Sequence, residues 1–401
     1  MEQDQLRRIA EQFLCPFFSG ARLAGAVPST TREKLVARPD PRSLAFKVHS
    51  NDGHRLVLRR AEKFGPTAER IVKAFVEVMS EIEPALATAF EADVLRTLPG
   101  KIVARTIGGD HHESMLATID WLEAWADRHY EGMSVTGALG FDPHAQGGSI
   151  GLSELSSLEF AAVLSNGVDT MIWVDPRGCV AGHQCLARPA VTPPFAPYTH
   201  AGLAAWAVDG RVVLVLTEKD EILVFKDSQM LFAKRSGRWH FLTHRPFVTR
   251  MPVPNSLAVR RAVYESCLDA SFMHHGACLG VVTAGCGRDW EEVVMREDRL
   301  CNSDSLKART LDLLLAGRTF PELDRRLRME LLSVDGATVI DHQGRVLAVG
   351  AILRIPGGST GGGRLAAARV LATLGLGIKV SQDGSIICLH GEAAEPVFTL
   401  M

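Results

Sequence analysis

The residues best suited to chemistry crowd into the stretch PGGSTGGGRLAAAR, positions 356 to 369. Glycines let backbone N–H groups come close to an anion, Ser359 and Thr360 add hydroxyl donors, and Arg364 stands where a helix should begin. A helix N-terminus offers free amides and partial positive charge, so Gly362, Gly363 and Arg364 could cradle a phosphate. No Lys follows the glycines, which rules out a P-loop, and a clean G-x-G-x-x-G is missing too. Taken alone, the stretch suits a flexible loop with Arg364 solvated equally well. A second feature, Asp335-Gly336-Ala337, precedes an apolar strand, where Asp-Gly is ordinarily a turn or cap. Only a hairpin separates it from the glycines. Asp335 and Arg364 could therefore reach one ligand from adjacent strand ends, with Ala337 and Leu353 forming an apolar wall beside them.

Other clusters have simpler readings. Asp110, His111, His112 and Glu113 in GGDHHES could suggest a metal, but no second His/Asp set accompanies them, and acids in a first helical turn act as caps. His274 and His275 end a helix, where histidine complements the dipole. Ser165 in SNGVDTMIWVD has no base near it in sequence, so nucleophilic catalysis lacks support. Lys234, Arg235 and Arg238 beside Trp239 could grip a phosphate; a hairpin turn with solvated charges explains them more simply.

These residues must be positioned by mixed elements. A helix is expected over Gln5 to Phe13, followed by extended segments, and helical spacing runs from Thr67 to Leu98 with a break or kink at Pro84. KIVARTI (101–107) reads as a strand, HHESMLATIDWLEAWADRHY as an amphipathic helix, and MSVTGALGF (133–141) as another strand. After Asp169 short β-rich runs take over: TMIWV, GLAAWAV, RVVLVLT, EILVFKD and QMLFAKRSGRWHFL. Val248–Ser256, VTRMPVPNS, is the best linker candidate, with Asn-Ser suited to cap the helix that follows. Beyond it come a helix, the strand GACLGVVTAG, two helices, a DGATVID/RVLAVGAIL hairpin, the glycines, the helix RLAAARVLATLG and a last strand pair, GIKVS and GSIICLH. The expected fold class is α/β, with an N-terminal α/β region (1–150), a β-rich region (151–250) and a C-terminal mixed sheet flanked by helices (251–401).

Composition sets the bounds. At 401 residues the chain is long enough for two or three domains. A net charge of −2 gives no global basic field to recruit nucleic acid. No apolar run reaches the length of a membrane span, and the start MEQDQLRRIAEQFL lacks the layout of a signal peptide. The eight cysteines contain no CxxC pair, so they read as reduced, mostly buried thiols of a cytoplasmic protein.

Four segments in order, GACLGVVTAGC, ELLSVDGATVID, STGGGRLAAAR and GIKVSQDGSIICL, resemble the diadenylate cyclase (DAC) domain across roughly Leu257 to Leu389. That family has a DGA motif, a G-[TS]-R-H-R-A-A motif opening a helix, and a late V-S-E. The resemblance implies a nucleotide site in which Asp335, Gly336 and Ala337 are the DGA residues, Gly363 falls on the Thr/Ser position and Arg364 on the first Arg. It also shows departures: Leu365 replaces the His, Ala366 the second Arg and Gln382 the Glu. Phosphoryl transfer needs its charge neutralised, and these changes remove much of that capacity. The pattern resembles the degenerate DACNV-type relatives and implies a sensor of ATP or a cyclic dinucleotide-like messenger, in prokaryotic defence signalling with an effector protein. Such a sensor requires no cofactor. The alternatives are an active cyclase making cyclic di-AMP from ATP, with Asp335 catalytic and Mg²⁺ or Mn²⁺ bound, and an interaction scaffold with a vestigial pocket.

Overall fold

The structure, a computed structural model, describes residues 2–88, 90–156, 158–301, 304–355, 362–392 and 395–400. Residues 1–193 and 200–242 form one compact unit; residues 194–199 and 243–401 form a second. Among the described residues no helix is long and apolar enough to cross a membrane.

The first unit contains α1 (Gln3–Ile9), a four-stranded sheet of β1 (Arg22–Pro28), β2 (Val36–Asp40), β3 (Ser43–Phe46) and β4 (His54–Arg59), and three long helices. These are α2 (Pro66–Leu86), α3 (Glu91–Gly108) and α4 (His112–Ala126). A short ribbon, β5 (His129–Tyr130) and β6 (Met133–Ser134), leads into β7 (Gly137–Phe141). Then follow α5 (Leu152–Ser156), β8 (Thr170–Val174), β9 (Val180–Cys185), α6 (Ala201–Trp206), β10 (Val212–Leu216), β11 (Ile222–Lys226), β12 (Gln229–Arg235) and β13 (Arg238–Phe241). Seven of these strands form one sheet in the order β13-β12-β11-β10-β7-β8-β9. β7, from the expected N-terminal region (1–150), therefore sits inside the same sheet as strands of the expected β-rich region (151–250).

Three expectations change here. KIVARTI is helical, lying within α3, where Leu98, Ile102 and Val103 bury into a core shared with Phe75 of α2 and Ile119 of α4. Its β-branched residues favour strand locally, but burial of a helical stripe overrides that preference. GLAAWAV is also helical, as α6, in keeping with its alanines. MSVTGALGF divides between β6 and β7. Pro84 lies in the last turn of α2, so the chain makes two helices there.

His200 gives the first unit a pH dependence. Its Nδ1 donates to the Gly167 carbonyl at 3.0 Å, its ring lies against Phe225, and burial pushes its pKa down to about 4. A depressed histidine penalises folding as pH falls below its ordinary value of about 6.5, with the full cost reached below the folded value. Between these limits His200 should cost up to about 3 kcal/mol. Urea unfolding of wild type and His200→Gln from pH 7.5 to 4.5 checks this: the acid-side slope should flatten in the variant.

The second unit holds α7 (His244–Arg250), α8 (Leu257–Phe272), β14 (Ala277–Val282), α9 (Trp290–Val293), α10 (Leu306–Leu315), α11 (Arg325–Ser333), β15 (Ala337–Asp341), β16 (Val346–Ala351), α12 (Gly363–Leu374), β17 (Gly375–Val380), β18 (Ile386–His390) and β19 (Glu395–Leu400). Its sheet runs β16-β15-β14-β17-β18-β19. β14 and β15 are parallel and the other neighbours antiparallel. Ser256 caps α8, its hydroxyl accepting from the Val259 amide. The expected linker Val248–Ser256 lies within this unit, and β19 extends the expected final strand pair to three strands.

Candidate functional site

Register builds the site. Lys379 of β17 pairs with Cys278 of β14, Cys278 with Ala337 of β15, and Ala337 with Ala351 of β16. Paired residues share a face, so these four form one row across the sheet. All four line a cavity of about 590 Å³. Residues two positions away in the same strand share their face: Gly280 with Cys278, and Gly377 with Lys379; Gly276 and Ser381 flank these strands.

α12 lies on that face, and glycine is what lets it approach. A Cβ on Gly377 would come within 1.8 Å of the Ala368 carbonyl oxygen, and one on Gly280 within 2.7 Å of Leu371 Cδ2. The helix therefore opens directly over the row, at Gly362 and Gly363. Arg364 lies across Gly276, where a Cβ would sit 2.5 Å from its Nη1. Gly336 has φ +108°, and a Cβ there would fall 2.5 Å from the Gly350 carbonyl carbon. Both the backbone conformation and the close approach demand glycine at the centre of Asp335-Gly336-Ala337.

Asp335, Gly336, Ala337, Leu353, Gly362, Gly363 and Arg364 thus line one cavity. Ser359 and Thr360 fall outside the described residues. The Asp335 carboxylate is exposed and lies 3.8 Å from Arg364 Nη2, a long pair that leaves both groups open to a third partner. Burial pushes the Cys278 thiol up to about 12, against the pull of Arg364, so it is a protonated, neutral part of the floor. The apolar wall is held from outside. Lys307 Nζ donates to Asp298 Oδ1 (2.7 Å) and to the Gly350 carbonyl (2.8 Å), while Asp298 Oδ2 accepts from the Ile352 amide (2.8 Å). Leu353 bridges to Val294.

Sequence reasoning missed Cys278, Lys379 and Ser381 as lining residues. Their signal was the two-residue period running through Gly377, Lys379 and Ser381. At the departures from the DAC motif, Leu365 lines the cavity as a half-buried apolar group and Ala366 is buried. Gln382 lines the cavity with a neutral amide.

Side chains of the other clusters make local contacts. His112 Nδ1 donates to the Gly109 carbonyl and Nε2 lies 2.9 Å from Arg105 Nη2. Among the described residues no group of three or more His, Cys, Asp or Glu is placed to hold a metal. Ser165 Oγ donates to the Thr170 carbonyl and accepts from the Ala138 amide. His275 meets Ser333 Oγ at 2.8 Å. The KRSGR turn is the expected hairpin, but its charges are not all solvated: Lys234 pairs with Glu123, and buried Arg235 with Glu221.

Gly276→Ala separates binding from stability. The clash falls on the far end of a flexible side chain, so the guanidinium must move while the fold can stay. Thermal melting should change little, and affinity for a phosphate-bearing ligand should fall about tenfold, as for a misplaced charge-assisted contact.

No family model matches the chain, and no curated protein matches it. Among solved structures it is similar to a double-cysteine mutant of DacA from Staphylococcus aureus, with 15% identity over 35% of this chain and 86% of that one, and a TM-score of 0.25.

Proposed function

We propose that the second unit is a nucleotide-binding sensor domain whose cavity holds a nucleotide or nucleotide second messenger without cyclising it. The observation that carries this is the convergence of Arg364, at the opening turn of α12, and Asp335, before β15, on one cavity with an apolar wall. Arg364 and the first-turn amides of α12 hold phosphate, where charge and free N–H groups coincide. Asp335 accepts a hydrogen bond from a sugar hydroxyl or the base. Ala337, Ala351 and Leu353 take the face of the base. Leu365, Ala366 and Gln382 supply none of the charge that the DAC motif places at these positions, so the site is equipped to bind a nucleotide and poorly equipped to react one. The N-terminal 250 residues transmit the bound state or contact a partner.

Calorimetric titration of the purified chain with ATP, AMP and cyclic di-AMP tests this, followed by chromatography of the mixture incubated with Mg²⁺ or Mn²⁺. Binding should weaken about 30-fold in Arg364→Ala, the scale of one charged hydrogen-bonded contact. The nucleotide should be recovered unchanged. Cyclic dinucleotide in the eluate would make the protein a cyclase with Asp335 catalytic. Absence of binding to the whole panel would leave a scaffold with a vestigial pocket.

A further inference from the structure

We propose that Lys379 and the Ser381 hydroxyl form a second anion contact in this cavity, and that they set its ligand class: a nucleotide whose phosphate carries one or two negative charges, a monophosphate or phosphodiester, in preference to a triphosphate. This rests on the nucleotide-binding reading of the same site.

Strand alternation aims Lys379: Gly377 touches α12 through its bare Cα, so Lys379, two positions on in β17, faces the same side, and Ser381, just past the end of the strand, lines the same cavity. Lys379 is half-buried opposite Cys278, and its ammonium makes no ion pair or hydrogen bond among the described residues. Ser381 Oγ is buried with no hydrogen-bond partner there. The buried hydroxyl costs free energy in the empty protein, because it loses water without replacement, and the ammonium has no anion beside it. An oxyanion within reach of both, with the Ser381 hydroxyl turned into the cavity, would satisfy both.

Charge then selects the ligand. Among the described residues, the ionisable side chains lining the cavity, other than the neutral Cys278 thiol, are Asp335, Arg364 and Lys379. The segment 356–361, Pro-Gly-Gly-Ser-Thr-Gly, contributes none. Two cations and one carboxylate leave one net positive charge. A phosphomonoester carries about −1.5 to −2 at neutral pH, which two cations can match, whereas a triphosphate carries roughly twice that. With Asp335 adding its own repulsion, the longer phosphate chain is under-neutralised by these side chains.

The test is calorimetry of the full chain with AMP, cyclic di-AMP and ATP, each with and without Mg²⁺. Wild type, Lys379→Gln, Lys379→Arg, Ser381→Ala and Arg364→Ala are compared. Expected are tighter binding of AMP or cyclic di-AMP than of metal-free ATP, a loss of about tenfold in Lys379→Gln, rescue by Lys379→Arg, and a weaker salt dependence in Lys379→Gln. Ser381→Ala should keep or raise the melting temperature of the empty protein, since an unsatisfied hydroxyl is removed, and reduce the rise caused by AMP. A structural role for Ser381 would lower the first and spare the second. Arg364-dependent binding that ignores Lys379→Gln and Ser381→Ala overturns this inference and leaves the nucleotide site standing. Tighter binding of metal-free ATP overturns the charge selection. Failure of wild type to bind any probe overturns both.

Discussion

Gly377→Ala should destabilise the second unit by about 3 kcal/mol or more, and should weaken nucleotide binding as a consequence. The new methyl would stand 1.8 Å from the Ala368 carbonyl oxygen and 3.0 Å from the Ala372 amide nitrogen. Both obstacles are helix backbone, so no rotamer change relieves them; α12 has to lift from the sheet. That movement opens the packing of Ala368, Leu371 and Ala372 on Cys278 and Val339. It also carries Gly363 and Arg364 away from the Cys278–Lys379 row. Gly280→Ala serves as the control. Its methyl first meets the Leu371 side chain, at 2.7 Å and beyond, and a side chain can rotate where helix backbone cannot. Denaturant unfolding should rank wild type, Gly280→Ala and Gly377→Ala in descending stability. A Gly377→Ala protein within about 0.5 kcal/mol of wild type would mean that α12 does not sit as described.

Asp269→Ala should cost about 3–5 kcal/mol, the price of leaving one partner of a buried ion pair alone. Arg325 Nε and Nη2 donate to Asp269 Oδ2 and Oδ1 at 2.7 and 2.8 Å. The same carboxylate accepts from the Tyr198 amide at 2.8 Å, and Arg325 Nη2 donates to the Ala196 carbonyl at 2.7 Å. Burial pushes the Asp269 carboxyl up while the guanidinium opposes it. This cluster ties residues 194–199 to α8 and α11 within the second unit. Removing the carboxylate strands a buried guanidinium and frees the Tyr198 amide, so limited proteolysis should cut earlier near residues 192–199. The double variant Asp269→Leu/Arg325→Met should recover much of the lost stability, because neither charge then needs compensation. An Asp269→Ala protein as stable and as protease-resistant as wild type would contradict this role.

Much of the second unit could be read from the chain. Its strands are short and apolar, Asn-Ser announces the cap of α8 at Ser256, and glycine marks where α12 opens. Asp335 and Arg364 could be expected at one site because a single hairpin separates them. Lys379 and Ser381 were harder to see. Their significance depends on which face of β17 meets α12, and only the contact of Gly377 with Ala368 settles that. The first unit was less legible. KIVARTI carries β-branched residues that favour strand by themselves and does not declare the helices α2 and α4 against which it buries; GLAAWAV, despite its alanines, does not declare the strands β10 and β11 on which α6 packs. Arg235 reads as a solvated turn residue until Glu221 is brought beside it by the pairing of β11 with β12.

The central claim is that the mouth of the cavity beneath α12 receives a nucleotide phosphate. Crystals of the full chain grown with AMP at saturating concentration test it most directly. Phosphate density is expected within hydrogen-bond reach of the Arg364 guanidinium and the first-turn amides of α12, with the base against Ala337, Ala351 and Leu353. Nucleotide density elsewhere on the protein, with Arg364 still over Gly276 and the cavity unfilled, would contradict it.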